Sequence, residues 1–233
     1  MSSKISWNSN WQSLLRLALP AIDYVEANTS GVPWRWSLGG GTALALQIDH
    51  RESKDIDIFV SGRPLKLFAP WANPAAKGIS KDFQWPGFYL KFELPDGEID
   101  FLSSELLTSP GVSVYEFEGR QIQIETPEEI LVKKIRYRAS NFQPRDTFDL
   151  ACYARLSSGL AGVLADEVPD VLQRLKDRVS QLQRRGLDDL RDAIKPTAFG
   201  EAVMDMTYEI AADVVGRAEM IVGDRLGDFP SPN

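Results

Sequence analysis

The chain has 233 residues, 43% hydrophobic and 25% charged, with a net charge of −7. That balance is globular and long enough to bury a core; it excludes a disordered chain and a general nucleic-acid coat, whose footprint is basic. A single cysteine, Cys152, and a single histidine, His50, exclude an internal disulfide, a multi-cysteine zinc site and a histidine-rich metal centre. No apolar run approaches the ~18 residues of a membrane span, and Met1-Ser2-Ser3-Lys4 leads into no apolar signal segment. A cytoplasmic protein with no membrane partner is expected.

In chain order, Leu14, Leu15, Leu17, Ala18 and Ile22 recur at helical spacing, so a leading helix over Trp11 to Val25 is expected despite Pro20. Trp34 to Leu38 alternates and then meets Gly39-Gly40-Gly41-Thr42, as a strand entering a turn should. Thr42 to Ile48 reads as a short helix, Lys54 to Val60 as a second strand, and Leu65 to Ala72 as a helix closed by Pro74. Phe88 to Leu94 and Glu98 to Leu102 form a hairpin across Pro95-Asp96-Gly97. A second hairpin joins Val112–Phe117 to Arg120–Ile124 through Glu118-Gly119.

Thr126, Pro127 and Glu129 are the N-cap, first-turn proline and capping-box acid of a helix. Helices over Pro144 to Leu156, Pro169 to Arg185 and Thr197 to Val222 follow, punctuated by Gly159, Gly186 and Pro196. Leu172, Leu175, Val179 and Leu182 make one apolar stripe. All strands fall before residue 125. The expected class is α+β: a mixed αβ module over 1–125, a helical domain over 126–227 and a flexible tail over 228–233.

The candidate chemistry lies at the glycine turn and the strand after it. Backbone N–H groups of Gly40, Gly41 and Thr42, at the start of a helix, can take phosphate oxygens. Asp55 follows Thr42 by thirteen positions, and alternation puts Asp55 and Asp57 on one face of a strand with Ile56 and Ile58 on the other. Two carboxylates ~4 Å apart repel by about 4 kcal/mol at an effective dielectric of ~20, a cost that a divalent cation removes. Oxygen ligands favour Mg²⁺, with Mn²⁺ as the alternative. Asp100, between Ile99 and Phe101, is a third acid turned from the core; beside the first two it could hold metal and accept a proton. For each of these the plain alternative is a solvent-facing carboxylate.

Gly40-Gly41-Thr42 followed by Asp55-Ile56-Asp57-Ile58 resembles the signature of the DNA polymerase β-type nucleotidyltransferase superfamily. The words Gly40 to Leu46 and Arg51 to Asp57 resemble its AbiEii-type branch, toxins of certain toxin–antitoxin pairs. Glu128 to Lys134 and Arg145 to Leu150 look like that branch's later lysine and aspartate motifs. The resemblance implies a minimal nucleotidyltransferase fold with a mixed sheet, an NTP substrate, and roles for Lys134 on phosphate and Asp146 in orienting Lys134 or the sugar. At 100° per residue, Ile130, Leu131, Val132, Ile135 and Ala139 form a buried stripe; Lys134 lies at its edge, and Lys133 lies opposite, as a solvated charge. Arg51 and Ser53 either touch phosphate or cap and turn. Asp146 also suits a helix N-terminus on dipole grounds alone.

His50 reads as a surface or loop residue, Cys152 as inert core, and Trp71 and Trp85 as core packing near loops, with base stacking as the alternative. The expected reaction is NTP + acceptor → NMP-acceptor + pyrophosphate. By resemblance the acceptor is the 3′ end of a tRNA or a protein hydroxyl, and an antitoxin partner silences the activity. Two rivals remain: nucleotidylation of a cationic small molecule such as an antibiotic, which the acidic charge suits, and a non-catalytic nucleotide-sensing or protein-binding module.

Overall fold

The computed structural model describes residues 10–29, 31 and 33–227; the starting segment Met1 to Lys4 and the tail 228–233 lie outside the described residues. The chain divides into two compact units: one drawn from residues up to 47, 53–106 and 112–126, the other from 48–52, 107–111 and 127 onward. The class is α+β, with a mixed seven-stranded sheet and nine α-helices among the described residues.

The first unit carries helix α1 (Trp11–Asn28), strand β1 (Arg35–Gly39), helix α2 (Gly40–Ile48) and strand β2 (Ile56–Ser61). Strands β3 (Phe83–Gln84), β4 (Tyr89–Leu94), β5 (Gly97–Ser103), β6 (Val112–Phe117) and β7 (Arg120–Glu125) complete it. The sheet order is β3-β4-β5-β2-β1-β7-β6, with β2 parallel to β5 and β1 parallel to β7. Both expected hairpins form, the second with Glu118 and Gly119 at positive φ, as a two-residue turn between twisted strands requires.

Alternation organises the core of this unit. Ile56, Ile58 and Val60 on β2 and Ile99 and Phe101 on β5 are fully buried, and so are Leu14, Leu15, Ala18 and Ile22 of α1. Pro20 is accommodated within that helix. Phe101 stacks on Phe68 at 5.0 Å between ring centroids and meets Phe92 edge-on at 6.2 Å.

Two sequence readings need correction here. The expected helix over Leu65 to Ala72 is a single 3-10 turn, Leu65–Phe68, because Pro64, Pro70 and Pro74 leave no room for a longer ladder. The edge strand β3 has no counterpart in the sequence pattern, since two residues carry no periodicity.

The second unit contains α3 (Pro127–Arg138), α4 (Pro144–Leu156), α5 (Leu160–Glu167), α6 (Leu172–Arg185), α7 (Asp188–Ala193), α8 (Ala198–Met204) and α9 (Thr207–Gly227). Helix α9 packs against α4, α5 and α6. The expected stripe on α6 is buried at all four positions, Leu172, Leu175, Val179 and Leu182. Short α5 and α7 occupy stretches that the sequence pattern leaves as connections, and the long final helix is broken at Asp205 and Met206. No helix among the described residues is long and apolar enough to cross a membrane. Phe101→Ala is expected to cost about 3–5 kcal/mol, as aromatic truncation in a packed core does, seen as a lower urea midpoint at unchanged slope.

Candidate functional site

Register places the candidate acids of the first unit. Gly39 at the end of β1 pairs with Asp57 on β2, Asp57 with Asp100 on β5, Asp100 with Lys91 on β4, and Lys91 with Gln84 on β3. One line thus crosses five strands on the face opposite the buried isoleucines. Asp57 and Asp100 stand on the same side of adjacent parallel strands, as alternation requires.

The glycine turn closes on this line. Gly40 has φ +67°, and a Cβ there would lie 1.8 Å from Asp57 Oδ2. At Gly39 a Cβ would meet Glu125 Oε2 and the Phe59 ring, each at 2.5 Å. Both positions therefore need glycine, the first for its backbone angle as well as for space. The start of α2 is fixed by Thr42, whose Oγ1 lies 2.8 Å from Ser53 Oγ and donates to the Asp55 carbonyl.

The electrostatics are those of a crowded carboxylate pair. Burial pushes the Asp100 carboxyl up to about 7, the charge of Asp57 adds to the shift, and Lys91 opposes it. Lys91 Nζ lies 3.6 Å from Asp100 Oδ2 and pairs with Glu98. Asp100 Oδ1 is buried with no hydrogen-bond partner among the described residues. Asp55 lies just before β2, exposed, where its Oδ1 accepts from Glu98 N at 3.0 Å. Asp57 and Asp100 are therefore brought together, while Asp55 is anchored to the backbone of β5. Oxygen-only donors, an unpartnered buried Oδ1 and a cradle kept clear by Gly40 suit a hard divalent cation. As the side chains stand, no group of three or more His, Cys, Asp or Glu among the described residues could hold a metal ion.

The second unit gathers the other candidates into a buried ion cluster. Asp149, on α4, accepts from His50 Nε2 at 2.7 Å, from Arg51 Nε at 2.6 Å and Nη2 at 3.1 Å, and from Lys134. Asp146, one turn earlier, accepts from Lys134 Nζ at 3.0 Å, Arg138 Nη2 at 2.8 Å and the backbone N of Gln143 at 3.2 Å. Burial alone would raise the Asp149 carboxyl, but Arg51, Lys134 and His50 together hold it well below the usual carboxylate range. Burial lowers His50, against the pull of Asp149, so the imidazole is neutral at pH 7. The expectation of a surface His50 is corrected: it is fully buried, because its ring completes the shell around Asp149.

Lys133 is also corrected. It is 4% exposed and pairs with Glu129 at 3.1 Å, because α3 is buried on every side from Glu129 to Ile135 rather than along one stripe. Glu129 accepts from the backbone N of Leu107 at 2.9 Å and of Thr108 at 2.7 Å, long-range partners that spacing could not reveal. Sequence reasoning also missed Lys91, Glu98 and Glu125; the alternation that selects Asp100 would have found the first two.

Two outcomes follow from this geometry. Gly40→Ala is expected to lose about 1–2 kcal/mol to its left-handed backbone angle and to displace the Asp57 carboxylate, measured as a lower melting temperature with loss of nucleotidyl transfer. Asp149→Ala leaves Arg51 without its carboxylate and Lys134 with Asp146 alone, and is expected to cost about 3–5 kcal/mol. The pH sign follows from a depressed folded pKa: Asp149 contributes fully above about pH 5, and its contribution fades as pH falls from its unfolded value of about 3.9 through its lower folded one. Acid denaturation curves should therefore be shallower in the variant than in the wild type.

The sequence matches the family described as "Nucleotidyl transferase AbiEii toxin, Type IV TA system" over residues 27–213. No curated protein matches significantly. Among solved structures, the chain is similar to JHP933 from Helicobacter pylori, with TM-score 0.51, 17% identity and 94% of each chain covered. It is also similar to a second H. pylori structure, described provisionally as a nucleotidyltransferase, with TM-score 0.50, 18% identity and 99% and 100% of the two chains covered. These likenesses concern the fold. The family match extends over most of the chain, and the protein is a nucleotidyl transfer enzyme that belongs to the AbiEii family.

Proposed function

We propose that this enzyme transfers NMP from an NTP to an acceptor hydroxyl at the Asp57–Asp100 face of its sheet. One observation carries the reading: two carboxylates stand on adjacent strands, against a turn where Gly40 has no room for a Cβ, and Asp100 keeps one buried oxygen unpartnered. Asp57 and Asp100, with Asp55 beside them, would hold Mg²⁺ or Mn²⁺. Bound there, the cation supplies positive charge that offsets the carboxylates and polarises phosphoryl oxygens. The backbone N–H groups of Gly40, Gly41 and Thr42 take phosphate oxygens at the start of α2, and Ser53 steadies Thr42.

The acceptor oxygen attacks the α-phosphorus and forms the new P–O bond. The bond from the α-phosphorus to the bridging oxygen breaks, and pyrophosphate leaves with that electron pair. The hydroxyl proton passes to an Asp100 carboxylate oxygen. A carboxyl raised toward neutrality by burial and a like charge suits a group that takes up a proton in mid-reaction.

Lys134 is proposed as the phosphate ligand and Asp146 as the residue that orients it. Two carboxylates already bind the Lys134 ammonium, and its third N–H is left for an anion. Arg51, held by Asp149, serves that orientation rather than phosphate.

The family description supports a toxin role, with an antitoxin as partner. The acceptor is proposed to be a tRNA 3′ end or a protein hydroxyl in the cytoplasm. The net charge of −7 favours a cationic antibiotic as the second reading; growth arrest on expression, against drug resistance on expression, separates the two.

Asp57→Asn is expected to abolish transfer of label from α-labelled NTP while leaving the thermal unfolding midpoint unchanged or raised. Chelation should silence the wild type, and added Mg²⁺ should restore it. Transfer at the wild-type rate by the variant would refute the assignment.

A further inference from the structure

His50 is the chain's single histidine, is fully buried, and has no part in the chemistry above. Its ring lies on Phe148, 5.9 Å between centroids with the planes 25° apart, and its Nε2 sits 2.7 Å from Asp149 Oδ1. Nδ1 is buried with no hydrogen-bond partner among the described residues. An imidazolium carries an N–H at both nitrogens, so a charged ring would bury an unpaired cationic donor. A neutral ring with its proton on Nε2 leaves only a bare lone pair there, which costs less. Geometry thus selects both the charge and the tautomer, and burial, which lowers the His50 pKa, acts in the same direction.

Four donors meet the Asp149 carboxylate. Oδ1 accepts from His50 Nε2 and Arg51 Nε, and Oδ2 accepts from Arg51 Nη2 and Lys134 Nζ. Arginine and lysine bring these groups on long stems with many rotamers. The imidazole turns about two bonds only, and its backbone is held as firmly as its ring. The His50 carbonyl accepts from Thr197 N at 3.1 Å, and the neighbouring Glu52 N donates to the Lys195 carbonyl at 2.9 Å. A Cβ at Gly200 would lie 1.9 Å from the His50 carbonyl oxygen, so glycine there lets the two backbones close. His50 is the stiff member of the set. By fixing Oδ1 it sets where Oδ2 lies, and so where the Lys134 ammonium is drawn.

An uncharged donor suits this place. Lys134, Arg51 and Arg138 face Asp146 and Asp149, three cations against two acids, which leaves one positive charge in surplus for an anion. A further cation at position 50 would compete with Lys134 for Asp149. A neutral imidazole orients the carboxylate without that competition.

We propose that His50 is a positioning residue for the nucleotide: its neutral ring, donating from Nε2, holds Asp149 so that Asp149 aims the Lys134 ammonium at phosphate. This rests on the reading of Lys134 as the phosphate ligand and deepens it.

The test uses the full chain, untagged, with magnesium tripolyphosphate as a ligand that carries no base. Labelling with ¹⁵N-histidine gives the signals of one ring, since the chain has no other histidine. At about pH 7 a protonated Nε2 and a bare Nδ1 are expected, and tripolyphosphate is expected to shift the Nε2 signal, because Lys134 shares Asp149 with it. Calorimetric affinity should fall about tenfold in His50→Leu, the loss of one hydrogen bond to a charged group. It should return to within about twofold of the wild type in His50→Gln, whose amide donates without charge. In the transfer assay KM for NTP should rise by the same factor in His50→Leu, with kcat near its wild-type value. A ring that served stability alone would lower kcat by the unfolded fraction and leave KM unchanged. That result would overturn the proposal, and so would a bare Nε2 or an imidazolium in the wild type, a measurement that stands even where His50→Leu does not fold. Lys134→Met separates this proposal from the reading beneath it. Weakened affinity there with wild-type affinity in His50→Leu would overturn the positioning role alone, and wild-type affinity in both would overturn the reading of Lys134 with it.

Discussion

Two carboxylates held side by side are the constraint on which the sheet unit turns. Asp57 and Asp100 occupy paired positions on parallel strands, so their side chains leave the sheet side by side. The sheet accepts this because the buried isoleucines and Phe101 on its other face fix the register; a slip by one residue would put the acids in the core and the isoleucines in solvent. The hydrophobic side of β2 and β5 thus enforces the electrostatic strain on the polar side. Lys91 relieves part of it at one oxygen of Asp100 and leaves the other buried and unmatched.

The glycine turn belongs to the same constraint. Gly40 takes a left-handed angle and yields its Cβ volume to the Asp57 carboxylate, so the start of α2 and the carboxylate pair are one packed object. Thr42, through Ser53 and the Asp55 carbonyl, ties the far end of the segment back to that start. Phosphate binding by backbone amides requires this close approach.

The helical unit solves a different problem with similar residues. Asp146 and Asp149 are accommodated in a buried setting because Lys134, Arg51, Arg138 and His50 surround them with donors. Such a cluster favours one arrangement of α3, α4 and the segment around His50, since Lys134 is shared by both carboxylates and its loss would leave each with a single cation. Lys134 is thereby rigid, with its ammonium direction set by two acids rather than by its own flexible stem.

Local chemistry was legible in the chain by itself: the glycine turn, the alternation that set Asp57 and Asp100 on the polar face, both hairpins and the α6 stripe. These follow from short periodicities and from the few residues that tolerate special backbone angles. Burial of His50 and Lys133, the 3-10 turn at Leu65–Phe68 and the partners of Glu129 were decided only in three dimensions. Each depends on a charge or packing partner distant in the sequence, and one side chain's preference for water says nothing about a counter-ion that folding brings to it. Spacing could nominate three carboxylates, but pairing of the strands chose which two stand together, because register is settled by the whole hydrophobic face and not by the acids themselves.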